Sequence, residues 1–258
     1  MEDGELGNDG ERAIPNQLNL YEFKRIYSLV SSVYGNNDRV TLDYGCGSGY
    51  GTLLLSKHFG KVTGIDVSPI AIDYCKNNYS ASNLDFKLLD PTIQPFANKS
   101  FHHIFSFQVF EHVPLELTNK YFQNIWNMLK QDGVAIVTTP NAYNYHHQFS
   151  GNQFHVKEYT KLELESLLIK VIPHHNFNIY AVEDVPSTKY YLKLRKMLRQ
   201  GYESPSIIIN LFCRILRLTL KVMELFRCIQ TDHKNMIIRD NPENIYGSYY
   251  IEILKKGK

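Results

Sequence analysis

The chemistry of this chain starts in residues 40–52, Val-Thr-Leu-Asp-Tyr-Gly-Cys-Gly-Ser-Gly-Tyr-Gly-Thr. A β-prone run ends at Asp43-Tyr44, and Gly45, Gly47, Gly49 and Gly51 follow at alternate positions before a helical pattern begins. A strand, a glycine turn and a helix put bare backbone at the carboxyl end of a strand, where a nucleoside can lie against the main chain. Asp43 has two roles open to it: holding the turn by accepting backbone N–H bonds, or meeting an ammonium group on a ligand. A second run, Lys61 to Asp66, ends in another acid, and a carboxylate there can take both hydroxyls of a ribose. The spacing is G-x-G-x-G rather than the G-x-G-x-x-G that grips a pyrophosphate at a helix N-terminus. Two acids around such a turn favour a nucleoside that carries an α-amino group and no diphosphate.

The acceptor side of the chemistry falls after the fourth strand. Glu111-His112 follows the run His102–Gln108, and a histidine titrates near neutral pH, so His112 is the first candidate for general base. Its structural alternative is that Glu111 and His112 fix the loop. His155 is the second candidate, and His146, His147, Tyr143 and Tyr145 belong to the same long loop, as sugar-stacking groups or as plain loop residues.

These side chains need a frame. Asn16 to Val33 carries Leu20, Phe23, Tyr27 and Val30 at helical spacing, a helix placed to cover the pocket. Further strands are expected at 84–89, 134–138, 176–183 and 247–254. Ser68-Pro69 caps a helix, 115–129 forms another with Leu117, Tyr121, Ile125 and Met128 inward, and Thr160 with Glu163 caps a third that ends near Val171. Gln131-Asp132-Gly133 should end the second of these helices. Strands alternating with helices predict an α/β fold: a doubly wound, mostly parallel seven-stranded sheet, with helices on both faces and a helical insertion before the last strand. The expected division is a flexible 1–15, a main domain of 16–183 plus 244–258, and an insertion at 184–243.

Within that order, LDYGCGSGYGT, GIDVSP, KLLDPTIQPF, FSFQVFEHV and LKQDGVAIVTTPN resemble the successive motifs of class I S-adenosylmethionine-dependent methyltransferases. The resemblance runs over about residues 38–183 and resumes at the last strand, which it implies is antiparallel. It implies S-adenosylmethionine as cofactor. Gly45, Gly47 and Gly49 would admit the methionyl part and Asp66 the ribose. Leu89, Asp90 and Pro91 would meet the adenine and Gln108 the methionyl or ribose part, and Asp43, Cys46 and Val67 complete the set. The Gly10–Pro15 segment (GERAIP) and Phe154–Thr160 (FHVKEYT) resemble a subgroup associated with bacterial surface-glycan synthesis. That points to methylation of a sugar hydroxyl, with His112, Glu111 and His155 at the acceptor. A small phenolic or quinone-like acceptor, and a non-catalytic binding partner with the same fold, are the alternatives. Some similar enzymes carry Glu-x-x-Glu-His after strand four and bind a divalent ion. Here the first position is Gln108, a weaker ligand for a hard cation, so no metal is expected.

Composition narrows the remaining classes. A net charge of +2 argues neither for nor against nucleic acid, but no basic stretch interleaved with aromatics lies outside the insertion, which argues against a nucleic-acid substrate. Cys46, Cys75, Cys213 and Cys228 lack C-x-x-C spacing and suit a reducing compartment. The acidic amino terminus is unlike a signal peptide, so a cytoplasmic location is expected. Residues 206–228 are strongly amphipathic, with Arg214, Arg217, Lys221 and Glu224 recurring along one face. Two readings stand for that helix: a lid or homodimer contact, or a helix lying on the inner surface of the membrane.

Overall fold

The computed structural model describes residues 17–142, 154–183, 237–239 and 247–256. The Gly10–Pro15 segment, Tyr143, Tyr145, His146, His147, Cys213, Cys228 and the amphipathic 206–228 stretch lie outside the described residues. The chain divides into two compact units, Met1–Val182 with Arg239–Lys258, and Glu183–Ile238; the central strands and the helices that cover them belong to the first.

Helix α1 (Gln17–Tyr34) leads into β1 (Asn36–Tyr44), α2 (Tyr50–Ser56), β2 (Phe59–Asp66), α3 (Pro69–Asn78) and β3 (Leu84–Leu88). Then come β4 (Phe101–Phe107), α4 (Thr118–Met128), β5 (Leu129–Pro140), α5 (Lys161–Leu168), β6 (Phe177–Glu183), β7 (Ile237–Arg239) and β8 (Gly247–Leu254). The sheet order is β3-β2-β1-β4-β5-β8-β6-β7. Strand β1 pairs in parallel with both β2 and β4, and β5 pairs in parallel with β4. The last long strand, β8, runs antiparallel to β5, with Val137 opposite Ile251. The expected seven strands are present, and β7 adds a short eighth at the edge.

The central strands are apolar on both sides because helices cover both faces. Leu42, Ile104, Phe105, Ile136 and Val137 are all fully buried. On one face α4 and α5 supply Tyr121, Phe122, Ile125, Met128, Leu164 and Leu168; on the other, Tyr27, Val30 and Leu55 pack with Phe59, Phe105 and Ile136. Strand order reverses between β1 and β4, so the crevice at their carboxyl ends is the switch point where open α/β sheets take ligands.

Local signals account for the helix starts. Ser68 caps α3 through its hydroxyl, which accepts from the Ala71 N–H, and Pro69 follows at the first helical position. Thr160 and Glu163 form a reciprocal capping box at α5, which ends at Leu168, short of the expected Val171. Two boundaries differ further. The expected 115–129 helix is a 3₁₀ turn (Leu115–Leu117) followed by α4, so Leu117 is only half-buried and Phe122 takes the core position. Gln131-Asp132-Gly133 does not end a helix but belongs to β5. Asp132, at φ +59, donates its N–H to the Lys255 carbonyl, which extends the pairing with the last strand. Among the described residues, no helix is long and apolar enough to cross a membrane.

Candidate active site

The glycine turn hangs from β2. The N–H groups of Gly45 and Cys46 both donate to the Ile65 carbonyl, at 2.8 and 2.9 Å. Gly47 has φ +51, and a Cβ built on it would meet nothing within 4 Å. The backbone there faces open space beside the end of β2, as a cradle for a ligand requires. Gly49 (φ +77) differs: a Cβ on it would come within 2.4 Å of the Cys75 sulfur and 2.9 Å of the Phe86 ring. Gly49 therefore serves packing. Cys46 and Cys75 are buried behind the turn, where the Cys75 thiol donates to the Gly47 carbonyl at 3.3 Å.

The two acids divide the work differently from the first expectation for Asp43. Asp43 does not accept backbone N–H bonds from the turn. It is 1% exposed, and it accepts from the Thr52 hydroxyl at 2.7 Å and the Tyr27 hydroxyl at 3.0 Å. Burial is the main force that pushes its carboxyl up to about 7, against the two hydroxyls, which act the other way. It ties α1 to β1 and α2 from within. Asp66 holds the turn. Its Oδ2 accepts from the Gly47 N–H and its Oδ1 from the Ser68 N–H, each at 2.9 Å. A carboxylate has about four acceptor positions, so two backbone bonds leave capacity for a pair of ribose hydroxyls.

Around this pair the rim is apolar. Val67, Ile70 and Leu88 are exposed beside the buried Leu89, whose N–H donates to the Asp66 carbonyl. Such a rim suits the flat face of a purine. Asp90 is exposed and accepts from both the N–H and the hydroxyl of Thr92, bonds that hold its carboxyl below the usual range and shape the turn through Pro91. Gln108 stands at the end of β4 with φ +55. Its amide donates to the Thr138 and Ser248 hydroxyls, at 3.3 and 3.4 Å, so it leans toward β5 and β8 rather than toward the glycine turn where the methionyl part was expected. A fit for an adenosine bearing an amino acid therefore rests on Gly47, Asp66 and the apolar rim.

The second half of the site begins two residues further on. Val109 packs against Gly45, and the 3₁₀ turn Phe110–His112 follows. Phe110 anchors it, stacked on Tyr159 and tilted against Phe122. Glu111 is 1% exposed, accepts from the Thr139 hydroxyl at 3.0 Å, and is pushed up to about 7 mainly by burial. The carbonyl of Glu111 accepts from the Val156 and Lys157 N–H groups, which brings the 154–160 stretch alongside. His155 thereby meets His112 edge to face, ring centroids 5.1 Å apart. The Nδ1 of His112 lies 2.9 Å from the Phe154 carbonyl, and that of His155 lies 2.8 Å from Glu158 Oε1. Glu111 and His112, neighbours in sequence, and His155, from a much later stretch, thus form one polar cluster that follows Val109, the residue packed on Gly45. Thr52, Tyr27, Thr139 and Glu158 were not singled out as site residues. Glu158, three residues after His155, carried the one readable signal.

Comparison with known proteins agrees with this geometry. A family model described as a methyltransferase domain matches residues 42–137. A probable S-adenosylmethionine-dependent methyltransferase of Mycolicibacterium smegmatis is 27% identical over 165 residues, covering 62% of each chain. This chain thus matches about three-fifths of that relative's length. The ubiquinone biosynthesis O-methyltransferase of Actinobacillus pleuropneumoniae is 28% identical over 131 residues, 48% of this chain and 54% of that one. Among solved structures, Haemonchus contortus phosphoethanolamine N-methyltransferase 2 in complex with S-adenosyl-L-methionine superposes with a TM-score of 0.57. It has 18% identity and covers 91% of this chain and 52% of that one. The fold is that of the class I methyltransferases.

Proposed function

We propose that this chain, a class I S-adenosylmethionine-dependent methyltransferase, methylates an oxygen: a sugar hydroxyl of a surface polysaccharide or its precursor. Its cofactor is S-adenosylmethionine, on the domain match and the relatives' shared dependence. When bound, the cofactor supplies an electrophilic methyl group whose sulfonium leaves without needing a proton. The protein's share is binding and orientation, and proximity alone can contribute about 7–11 kcal/mol to the rate. Asp66 would hold the ribose, Gly47 would let the amino-acid part approach the backbone, and Val67 and Leu88 would cover the base.

The observation that carries the oxygen reading is the cluster of Glu111, His112 and His155 beside that turn. Carboxylate and imidazole lone pairs accept a hydrogen bond from an entering hydroxyl and orient its oxygen. An alcohol, far less acidic than a phenol, needs such a cluster more, and this supports the sugar. A second reading, a phenolic acceptor, draws on the similarity to the ubiquinone biosynthesis O-methyltransferase. Transfer of labelled methyl from S-adenosylmethionine to a panel of glycans and catechols separates them. Label in glycan hydroxyls supports the proposal, and label confined to catechols replaces the sugar. No transfer to any acceptor, by protein that binds the cofactor, leaves the non-catalytic partner as the better account.

A further inference from the structure

His102 and Lys130 meet at the amino ends of β4 and β5, the edge of the sheet opposite the glycine turn. The Val40 N–H donates to the Nδ1 of His102 at 3.0 Å. A ring nitrogen that accepts carries no hydrogen, so the neutral ring holds its hydrogen on Nε2. That Nε2 lies 3.4 Å from the Nζ of Lys130. An ammonium only donates, so two N–H donors face each other and neither can satisfy the other. The ring stays neutral because burial, then Lys130, then Arg39 all hold His102 below the usual histidine range. Arg39 directly precedes Val40, and its charge also bears on His103. Among the described residues, neither Lys130 nor Arg39 forms an ion pair with a carboxylate. Lys255 bonds the Leu129 carbonyl, one residue from Lys130, and adds a further positive charge to this edge.

We propose that His102, Lys130 and Arg39 form a binding site for a phosphate dianion, as inorganic phosphate or as a phosphomonoester. Two donors 3.4 Å apart can both reach one oxygen at about 2.8 Å each. An acceptor there turns an unfavourable donor pair into two charge-assisted bonds. Arg39 is exposed, and its planar fork suits the remaining oxygens. A phosphate brings two charges and several oxygens to three donor groups, whereas a carboxylate brings one charge and two oxygens. His102 and Lys130 are both half-buried, which shields their contact from solvent and salt more than an open surface would. Five residues of β4 separate His102 from Phe107, roughly 17 Å at the rise of a strand. The ligand is therefore not the methyl donor, and its binding does not rest on the proposed function.

The test uses the full chain in phosphate-free buffer. Nitrogen-15 spectra of the histidine rings should show His102 with its hydrogen on Nε2, and that resonance should move on titration with inorganic phosphate. Calorimetry should give one phosphate per chain, with acetate at least about 10-fold weaker. Lys130→Met and Arg39→Met should each weaken phosphate by about 10-fold or more, while S-adenosylhomocysteine binds as to wild type. His102→Phe should do the same; if it does not fold, the other two variants decide. Glycerol 3-phosphate, titrated in parallel, separates the sources: binding at least as tight as phosphate supports a phosphomonoester, and exclusion of it while phosphate binds supports the free ion. A His102 hydrogen on Nδ1, no saturable binding of either probe by folded wild type, or unchanged binding in both Lys130→Met and Arg39→Met overturns the proposal.

Discussion

Substituting alanine at two neighbouring glycines should separate cofactor binding from folding. At Gly47 the backbone sits at φ +51, where a side chain costs about 1–2 kcal/mol. The lower entropy of the unfolded alanine chain returns about 0.4–1 kcal/mol. The new methyl meets nothing in the protein, so the net loss of stability should be about 1 kcal/mol, or roughly 2–4 °C in Tm for a domain of this size. That same methyl projects into the space assigned to the ligand beside Asp66. Affinity for S-adenosylhomocysteine should therefore fall at least about 100-fold, which is about 2.7 kcal/mol or more. At Gly49 the order reverses. A Cβ there lands 2.4 Å from the Cys75 sulfur and 2.9 Å from Phe86. Overpacking adds about 1–3 kcal/mol to the cost of the positive φ, while the molecules that remain folded should bind the ligand more nearly as wild type does. Urea denaturation gives the stabilities and calorimetry the affinities. Wild-type affinity in Gly47→Ala, or a larger stability loss there than in Gly49→Ala, refutes the assignment of Gly47 to the ligand.

Asp43 should make stability depend on pH. Its carboxyl is pushed up to about 7 in the fold by burial, against an ordinary value near 4. Its contribution is therefore complete below about pH 4 and is lost as pH rises toward about 7. Asp43→Asn removes that slope, so urea curves should show the variant gaining on wild type by about 1–3 kcal/mol between pH 5 and pH 8; a constant gap contradicts the buried-carboxylate account. Phe122→Ala should cost about 3–5 kcal/mol by calorimetric melting, because the ring is fully buried against Phe110. It should also slow methyl transfer by loosening the turn that carries Glu111, and unchanged turnover at a temperature where the variant is folded speaks against that coupling. Thr160→Ala, which breaks the capping box of α5, should cost about 1 kcal/mol in urea, with Thr160→Ser recovering most of it.

What the sequence makes legible here is what local chemistry dictates. That Gly47 and Asp66 belong to one turn was legible, because a glycine turn followed by an acid at the next strand end has few physical explanations. Ser68-Pro69 and Thr160 with Glu163 marked helix starts for the same reason. The role of Asp43 was not readable, because its partners Tyr27 and Thr52 come from helices on either side in the chain, and only packing brings their hydroxyls to one carboxylate. Gln108 escaped for a similar reason: its amide bonds to Ser248, 140 residues later. The polar cluster was named residue by residue, as Glu111, His112 and His155. Its convergence depends on the Glu111 carbonyl accepting from Val156 and Lys157, a tertiary contact that no spacing encodes. Asp132 misled the end of α4, since an Asp-Gly pair signals a turn whether a helix or a strand contains it.

The account stands on a pocket at the carboxyl ends of β1, β2 and β4. A crystal structure of the full chain grown with S-adenosylhomocysteine tests it most directly. The ribose hydroxyls should lie on the Asp66 carboxylate, the amino-acid part over Gly47, and the sulfur should face Glu111, His112 and His155. Nucleoside bound elsewhere, or absent from a Gly47 surface filled by the protein's own side chains, contradicts the account.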